Sequence, residues 1–190
     1  QFTAHCRIAQ SLGAIKTIDR VINTLKGLLP NEHRLSNDLE RLNQPLEGFG
    51  HLLANWGKAS LERLKEYPDT AYVFQSGGSR YRLTLSECFA VETDGFEPMA
   101  TTLGRIQKIR DWLKSLVSQG DQELMPETDA ELLSEQISMA LGRLESIPEL
   151  VAAFSNDATE SGDARWLRIG QDVRYATPDD PTDLEFWVSP

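Results

Sequence analysis

The segment DLEFWVSP, residues 183–190, alternates apolar with other side chains over most of its length. Leu184, Phe186 and Val188 occupy every second position, which predicts a β-strand with one buried face. Such a strand also needs neighbouring strands for its backbone donors and acceptors. The other end opens with QFTAHCRIAQ, which has no Met and already carries helical periodicity. We therefore expect both ends to have been cut from a longer polypeptide.

Two short regions predict β-hairpins. AYVFQ and RYRLTL alternate with a period of two on either side of SGGS, which predicts a hairpin over about 71–85. WLRIG and LEFWV, joined by the polar loop TPDDPTD, predict a second hairpin over about 164–188. Because a lone hairpin is only marginally stable, each needs a packing partner. We expect the first to pack on helices and the second to depend on a sheet outside this chain.

Four longer segments carry helical periodicity, over about 3–29, 34–65, 95–118 and 128–155. Apolar residues recur in each at steps of three and four, which places them on one stripe. Pro45 predicts a kink or a restart near Asn43, and Pro148 predicts that the last helix is two pieces. Three pairs have the spacing of a capping box: Asp94 with Glu97, Thr128 with Glu131, and Ser146 with Glu149.

Helices with one apolar stripe each bury it best against one another. The sequence therefore predicts a single domain over residues 1–190 of the mainly α class. Its expected architecture is an antiparallel four-helix bundle with kinked helices, plus one or two short β-hairpins.

The net charge of −10 argues against a general nucleic-acid binder, because neutralisation of phosphates supplies most of that affinity. The charge is unevenly distributed, however. Residues 1–120 have 15 Lys or Arg against 13 Asp or Glu, whereas residues 121–190 have 4 against 16. A basic face is therefore expected in the first two thirds of the chain.

Nine side chains are candidates for contact with DNA. Most come from GRIQKIRDWLK, residues 104–114, in which Ile106, Ile109 and Leu113 turn inward and leave the cations outside. The aromatic candidate either stacks on a base or flanks the core, and the competing interpretation of the cations is an ordinary solvated surface. The candidates are Arg105, Lys108, Arg110, Trp112 and Lys114 in this segment, Lys16 and Arg20 on the first helix, and Arg80 and Arg82 on the first hairpin.

No pattern in the sequence indicates catalysis, a cofactor or a metal. Gly77 and Gly78 lack the flanking Gly and the Lys-Ser pair of a nucleotide-binding loop. His5, His33 and His51 are scattered, without Cys or carboxylate at ligand spacing beside them. We therefore assign no catalytic, cofactor-binding or metal residue in this chain.

Cysteine usage and hydropathy indicate a cytoplasmic protein. Cys6 and Cys88 are expected to be reduced and buried, as isolated thiols in a non-secreted chain usually are. No apolar run is long enough to span a membrane, and no signal peptide opens the sequence. We therefore expect a cytoplasmic location and no membrane partner.

The end segments resemble those of the DinG family of helicases. QFTAHCRIAQSLGAIKTIDRVINTL, residues 1–25, is similar to the segment that follows the acidic motor box, where the chain enters a helical insertion. SGDARWLRIGQDVRYATPDDPTDLEFWVSP, residues 161–190, resembles the return to the motor ahead of its Ser-Ala-Thr motif. The helices between them are similar to the arch domain of this family and of its XPD-type relatives. The hairpin over 71–85 has no assigned counterpart there.

The resemblance implies a non-catalytic arch in an ATP-dependent DNA helicase that moves from the five-prime toward the three-prime end of single-stranded DNA. The implied partners are single-stranded DNA, bound weakly, and the motor domains of the same polypeptide. The parent would use ATP with Mg²⁺, with or without an iron–sulfur cluster, while this fragment holds no cofactor. The alternative is a stand-alone acidic helical-bundle module, an adaptor or immunity-type binder, whose charged faces and hairpin edge recruit another protein. A free-standing enzyme ranks third.

Overall fold

The computed structural model describes residues 4–75, 79–119, 124–155, 162–170 and 183–190. This part of the chain is mainly helical and contains one antiparallel sheet. The helices are α1 (Ile8–Leu28), α2 (Ser36–Glu40), α3 (Asn43–Glu66), α4 (Met99–Gln119), α5 (Glu127–Leu144) and α6 (Ile147–Ala153). The strands are β1 (Ala4–Arg7), β2 (Ala71–Gln75), β3 (Ser79–Leu83), β4 (Ala164–Gly170) and β5 (Asp183–Ser189). None of the described helices is long and apolar enough to cross a membrane.

The predicted apolar stripes line one continuous core. Their members are buried except for Leu12 and Leu133, which are half-buried. α1 packs against α3 and α5, and α4 packs against α5. The mainly helical class is therefore confirmed, while the antiparallel four-helix bundle stays a prediction.

Both predicted helix breaks are confirmed. α2 ends at Glu40 and α3 begins at Asn43, and α5 ends at Leu144 before α6 begins at Ile147. Asn43 also docks the restart onto α1: its side-chain amide donates to the Asp19 carboxylate, and its Oδ1 accepts from Lys26 Nζ at 2.5 Å. The break is thus stabilised by side-chain hydrogen bonds between the two helices.

The first helix begins later than predicted. Residues 4–7 were expected to be helical, but they form strand β1. The backbone of residues 4–7 forms hydrogen bonds with β5. Sequence periodicity cannot show a pairing between segments so far apart in the chain. The prediction of a helix over 3–29 is therefore wrong at its start.

The predicted capping boxes do not form. Asp94 lies in a 3₁₀ turn ahead of α4, and Thr128 lies inside α5, whose N-cap position is Pro126. Ser146 does occupy the N-cap of α6, but its hydroxyl donates to the backbone carbonyl of His5 in β1 instead of capping the helix. The Ser146 hydroxyl thus makes a tertiary hydrogen bond in place of the predicted cap.

The sheet has the strand order β1-β5-β4-β3-β2, and all its pairs are antiparallel. Both predicted hairpins are confirmed by the pairing of β2 with β3 and of β4 with β5. Their loops at 76–78 and 171–182 lie outside the described residues. β5 pairs with β1 along one edge and with β4 along the other. The expectation that the second hairpin depends on a sheet outside this chain is therefore wrong.

Three aromatic rings join the sheet to the helices. Trp56 of α3 stacks on Phe186 of β5, with ring centroids 3.9 Å apart and an angle of 15° between the planes. Phe154, which follows α6, meets both rings edge-on at 5.2 and 5.5 Å. The indole N–H of Trp56 donates to the backbone carbonyl of Phe89 at 2.9 Å, so the buried ring leaves no donor unsatisfied.

A buried arginine makes a second connection between sheet and helices. Arg165 of β4 points to the helix side and is 6% exposed. Its Nε donates to the carbonyl of Ala153 at the end of α6, at 2.6 Å, and its Nη1 donates to Ser86 Oγ at 3.4 Å. A cation at a helix C-terminus also complements the helix dipole.

The two cysteines do not form a disulfide, as expected. Cys6 is buried and its sulfur lies 3.4 Å from Ser11 Oγ, whereas Cys88 is only half-buried. The prediction of burial is therefore confirmed for Cys6 alone.

Replacement of Phe186 by Ala is expected to lower the free energy of unfolding by about 3–5 kcal/mol, because it removes a ring that is 0% exposed and leaves a cavity beside Trp56. Tyr72→Ala on β2 is the matched control: that ring is 67% exposed, so the expected change is within about 0.5 kcal/mol. Urea unfolding followed by circular dichroism measures both. Equal losses in the two variants would show that the ring cluster does not hold the sheet in place.

Candidate nucleic-acid interface

The structure distributes the nine predicted DNA-contact residues over three elements. α4 carries five of them, Lys16 and Arg20 are exposed one turn apart on α1, and Arg80 and Arg82 are exposed on β3. Within the described ranges, no hydrogen bond, ion pair or ring contact joins one of these groups to another. The candidates therefore form three separate surfaces.

The cations of α4 differ in how far acidic neighbours neutralise them. Arg105 Nε lies 4.0 Å from Asp38 Oδ1, and Arg110 Nε donates to Asp111 Oδ1 at 3.3 Å. Lys108 and Lys114 are exposed, and neither has an ion-pair partner in the part of the chain that the structure describes. The two lysines thus carry the positive charge that α4 offers to a ligand.

Trp112 packs within the protein. It is 7% exposed, and its ring meets His33 edge-on with 5.1 Å between centroids. His33 Nδ1 accepts a hydrogen bond from the Leu35 N–H at 3.2 Å. Burial of the imidazole lowers the pKa of His33, and the charge of Arg34 lowers this pKa further. Trp112 therefore lies at the flank of the core beside His33, with little of its ring exposed.

An open groove of about 460 Å³ runs between α4 and the segment around α2. Its walls carry charges of both signs, including Lys108 and Arg34 against Asp38 and Asp111. A mixture of this kind does not select a ligand of one charge. Among the described residues, no group of three His, Cys, Asp or Glu side chains is placed to hold a metal ion.

The β3 arginines belong to a larger surface. Side chains alternate across a sheet, so one face packs on the helices while the opposite face, called here the outer face, points away from them. By the pairing register, the outer face includes the positions of His5, Arg7, Tyr72, Arg80, Arg82, Trp166, Arg168, Asp183, Glu185 and Trp187.

Four of these side chains form a row across the strands, which we call the charged row. Arg7, Glu185, Arg168 and Arg80 occupy paired positions on β1, β5, β4 and β3. Arg168 Nη1 lies 3.6 Å from Glu185 Oε2, and the imidazole of His5 donates to the same carboxylate. This hydrogen bond lowers the pKa of Glu185, burial acts in the opposite direction, and the charges of His5, Arg168 and Arg7 add to the lowering.

The neighbouring row, called here the aromatic row, consists of His5, Trp187, Trp166, Arg82 and Tyr72. The two indoles are nearly parallel, at 5.8 Å between centroids and 2° between planes. Trp166 Nε1 donates to Ser189 Oγ at 3.0 Å, and the Arg82 guanidinium lies 6.0 Å from the Trp166 ring centroid. Trp187 is 5% exposed, whereas Tyr72 at the other end of the row is 67% exposed. Exposed aromatic surface is therefore found toward β2.

Arg80 and Arg82 are the members of the outer face that the sequence pattern predicted, and its other members were not predicted. The alternation in ARWLRIG and DLEFWVS could have predicted them, because the positions between the apolar residues carry Trp, Arg and Glu. The pairing that brings Arg7 and Arg168 to either side of Glu185 was not visible, because β1 and β5 lie at opposite ends of the sequence.

No protein-family model matches this chain, and no curated protein matches it significantly. Function is therefore inferred from the residues themselves.

Glu185→Gln is expected to lower the free energy of unfolding at neutral pH by roughly 1–3 kcal/mol, because the amide cannot replace a carboxylate hydrogen-bonded to His5. Since folding lowers the pKa of Glu185 below its usual 4.5, the stabilisation is complete above that pH and is lost as the pH falls through the lowered value. The difference between the two proteins should therefore shrink in acid. Urea unfolding at neutral and acidic pH measures it.

The control for this prediction is Glu62→Gln, which removes an exposed carboxylate from α3. It should change stability little at either pH. A stability gap for Glu185→Gln that does not depend on pH would contradict the assigned ionisation.

Proposed function

We propose that the chain is the non-catalytic arch of a DinG-like helicase and contacts single-stranded DNA weakly. The resemblance of residues 1–25 and 161–190 to the segments that flank such an arch supports this proposal. Its physical role is that of a stiff strut. Closely packed helices resist deformation, so they can confine a DNA strand while a few cations contact its phosphates. ATP with Mg²⁺, and any iron–sulfur cluster, belong to other parts of the parent polypeptide, which acts in the cytoplasm.

The observation that carries this proposal is the separation of charge between two helices that pack together. α4 exposes Lys108 and Lys114 without ion-pair partners among the described residues. α5 exposes four acidic side chains, Glu127, Asp129, Glu131 and Glu135. Phosphates are attracted to the first helix and repelled by the second, which directs a strand to one side of the protein. The overall charge of −10 keeps the affinity low.

An antiparallel four-helix bundle is the architecture that we propose for the strut. The packing of α1 on α3 and α5, and of α4 on α5, supports this arrangement. Burial of nearly every predicted stripe residue supports it as well.

A second candidate function is recruitment of a protein partner at β2. This strand lies at the edge of the sheet, and its Tyr72 and Val73 are 67% and 52% exposed. An extended peptide can add to such an edge through backbone hydrogen bonds. Binding of this kind depends little on salt, which distinguishes it from contact with phosphates.

The first candidate predicts that the chain binds a fluorescent oligothymidylate weakly and hydrolyses no ATP. The double substitution K108Q/K114Q should lower the slope of log affinity against log salt by about 1.4, at about 0.7 for each phosphate contact on a single strand. R105Q/R110Q removes the same charge but should have a smaller effect, because Asp38 and Asp111 already neutralise these arginines. Fluorescence anisotropy over a salt series measures the slopes.

K58Q/R143Q is the control, since it removes two exposed cations from α3 and α5. It should leave the slope close to that of the unaltered chain. A K108Q/K114Q slope equal to that of the control would discard the α4 contact, and tight binding that ignores salt would discard the function. In the full helicase, K108Q/K114Q should slow unwinding and leave DNA-independent ATP hydrolysis unchanged.

A further inference from the structure

We infer that the outer face of the sheet is a second binding site for single-stranded nucleic acid, with phosphates along the charged row and a base stacked at the exposed end of the aromatic row. The ligand class rests on the proposed function. The site itself is distinct from the α4 lysines and is built from different elements.

The outer face carries more positive than negative side chains. Four arginines, Arg7, Arg80, Arg82 and Arg168, lie on the outer face. The register places two carboxylate residues, Glu185 and Asp183, on this face, and Glu185 is already paired with His5 and Arg168. The face therefore has a surplus of positive charge on a protein whose net charge is −10. A surplus of this kind, retained against the overall charge, complements a polyanion.

Guanidinium donors of the outer face are available to a ligand. Arg80 and Arg82 are exposed, and within the described residues neither has a carboxylate partner. The contact of Arg168 Nη1 with Glu185 Oε2, at 3.6 Å, is longer than a hydrogen bond, and the Arg168 side chain is partly exposed. The guanidinium presents its donors as a fork that fits two phosphate oxygens. Phosphate oxygens thus complement the exposed donors of Arg80 and Arg82, which have no carboxylate partner among the described residues.

Planar side chains lie next to these guanidinium donors. Arg82 lies opposite Tyr72 on β2 and opposite Trp166 on β4. The Trp166 ring is held by the parallel Trp187 ring and by Ser189, so it gives Arg82 a fixed support. Exposed tyrosine rings and guanidinium planes are the groups on which unpaired bases stack. The stacking position is Tyr72 with Arg82, because Trp187 is buried.

The spacing of the two rows favours nucleic acid over an acidic polypeptide. Residues on one face of a strand are about 6.7 Å apart along it, and neighbouring strands are about 4.8 Å apart. The charged and aromatic rows therefore run side by side across the strands. A nucleic-acid strand that crosses the sheet in the same direction can place its phosphates over one row and its bases over the other. An acidic polypeptide would engage the charged row only.

The test compares two ligands of equal length on the 190-residue chain. A labelled oligothymidylate has phosphates and bases, whereas a labelled abasic oligomer has phosphates alone. R80Q/R82Q should lower the salt slope by about 1.4 for both ligands. Tyr72→Ala should weaken binding of the oligothymidylate about fivefold or more and leave the abasic oligomer unaffected. The altered side chains are exposed, and urea unfolding verifies that each variant is folded.

K108Q/K114Q is the matched variant, since it removes the same charge from α4. If it weakens binding while R80Q/R82Q does not, the sheet site is wrong and the proposed function stands. If the unaltered chain binds neither ligand, both are wrong. If polyglutamate competes as well as oligothymidylate at equal charge, and Tyr72→Ala affects both labelled ligands alike, the face binds an acidic protein and the inference is overturned.

Discussion

The stack of Trp56 on Phe186 fixes the orientation of the central strand, and the chemistry of the sheet follows from that orientation. With the rings 3.9 Å apart, Phe186 faces the helices, so Glu185 and Trp187 must face the other way. β5 pairs with β1 and β4, and its register sets which of their side chains join it on each face. A slip of one residue would bury Glu185 and expose Phe186, at a cost that the aromatic cluster makes prohibitive. The arrangement of the outer face is thus a consequence of packing on the inner one.

Polar contacts on the helix side reinforce the same orientation. Arg165 of β4 donates to the carbonyl end of α6, and Ser146 at the start of α6 donates to the backbone of β1, so two strands of the sheet are tied to the two ends of one helix. Both donors have acceptors within the chain. Arg80 and Arg82 of the outer face differ from Arg165, because they are exposed and have no carboxylate partner among the described residues. The same residue type is structural on one face and available to a ligand on the other, and the alternation of side chains along the strands sets this difference.

The helices could be predicted from the sequence, because apolar periodicity and proline each determine the structure of residues close to them in the chain. The restart at Asn43 and the break before Ile147 follow from Pro45 and Pro148. The sheet was not predictable as a whole, because β1 is four residues long and its partner lies at the far end of the chain. For the site, Arg80 and Arg82 were visible as cations on a hairpin. Their neighbours Arg168 and Arg7 were not, since long-range register alone brings them together.

The two proposed contact surfaces differ in character, and this difference suits the proposed role of guiding a strand and releasing it. Lys108 and Lys114 are flexible point charges, so they attract phosphates without fixing their orientation. The arginines of β3 and β4 are held on a sheet beside aromatic rings, so in the proposed complex a base and its phosphate would meet them in a defined geometry. Contacts made by one tethered ligand reinforce each other through effective concentration, while each one alone dissociates readily. On this proposal, an acidic protein holds DNA along a path without binding it tightly at any point on that path.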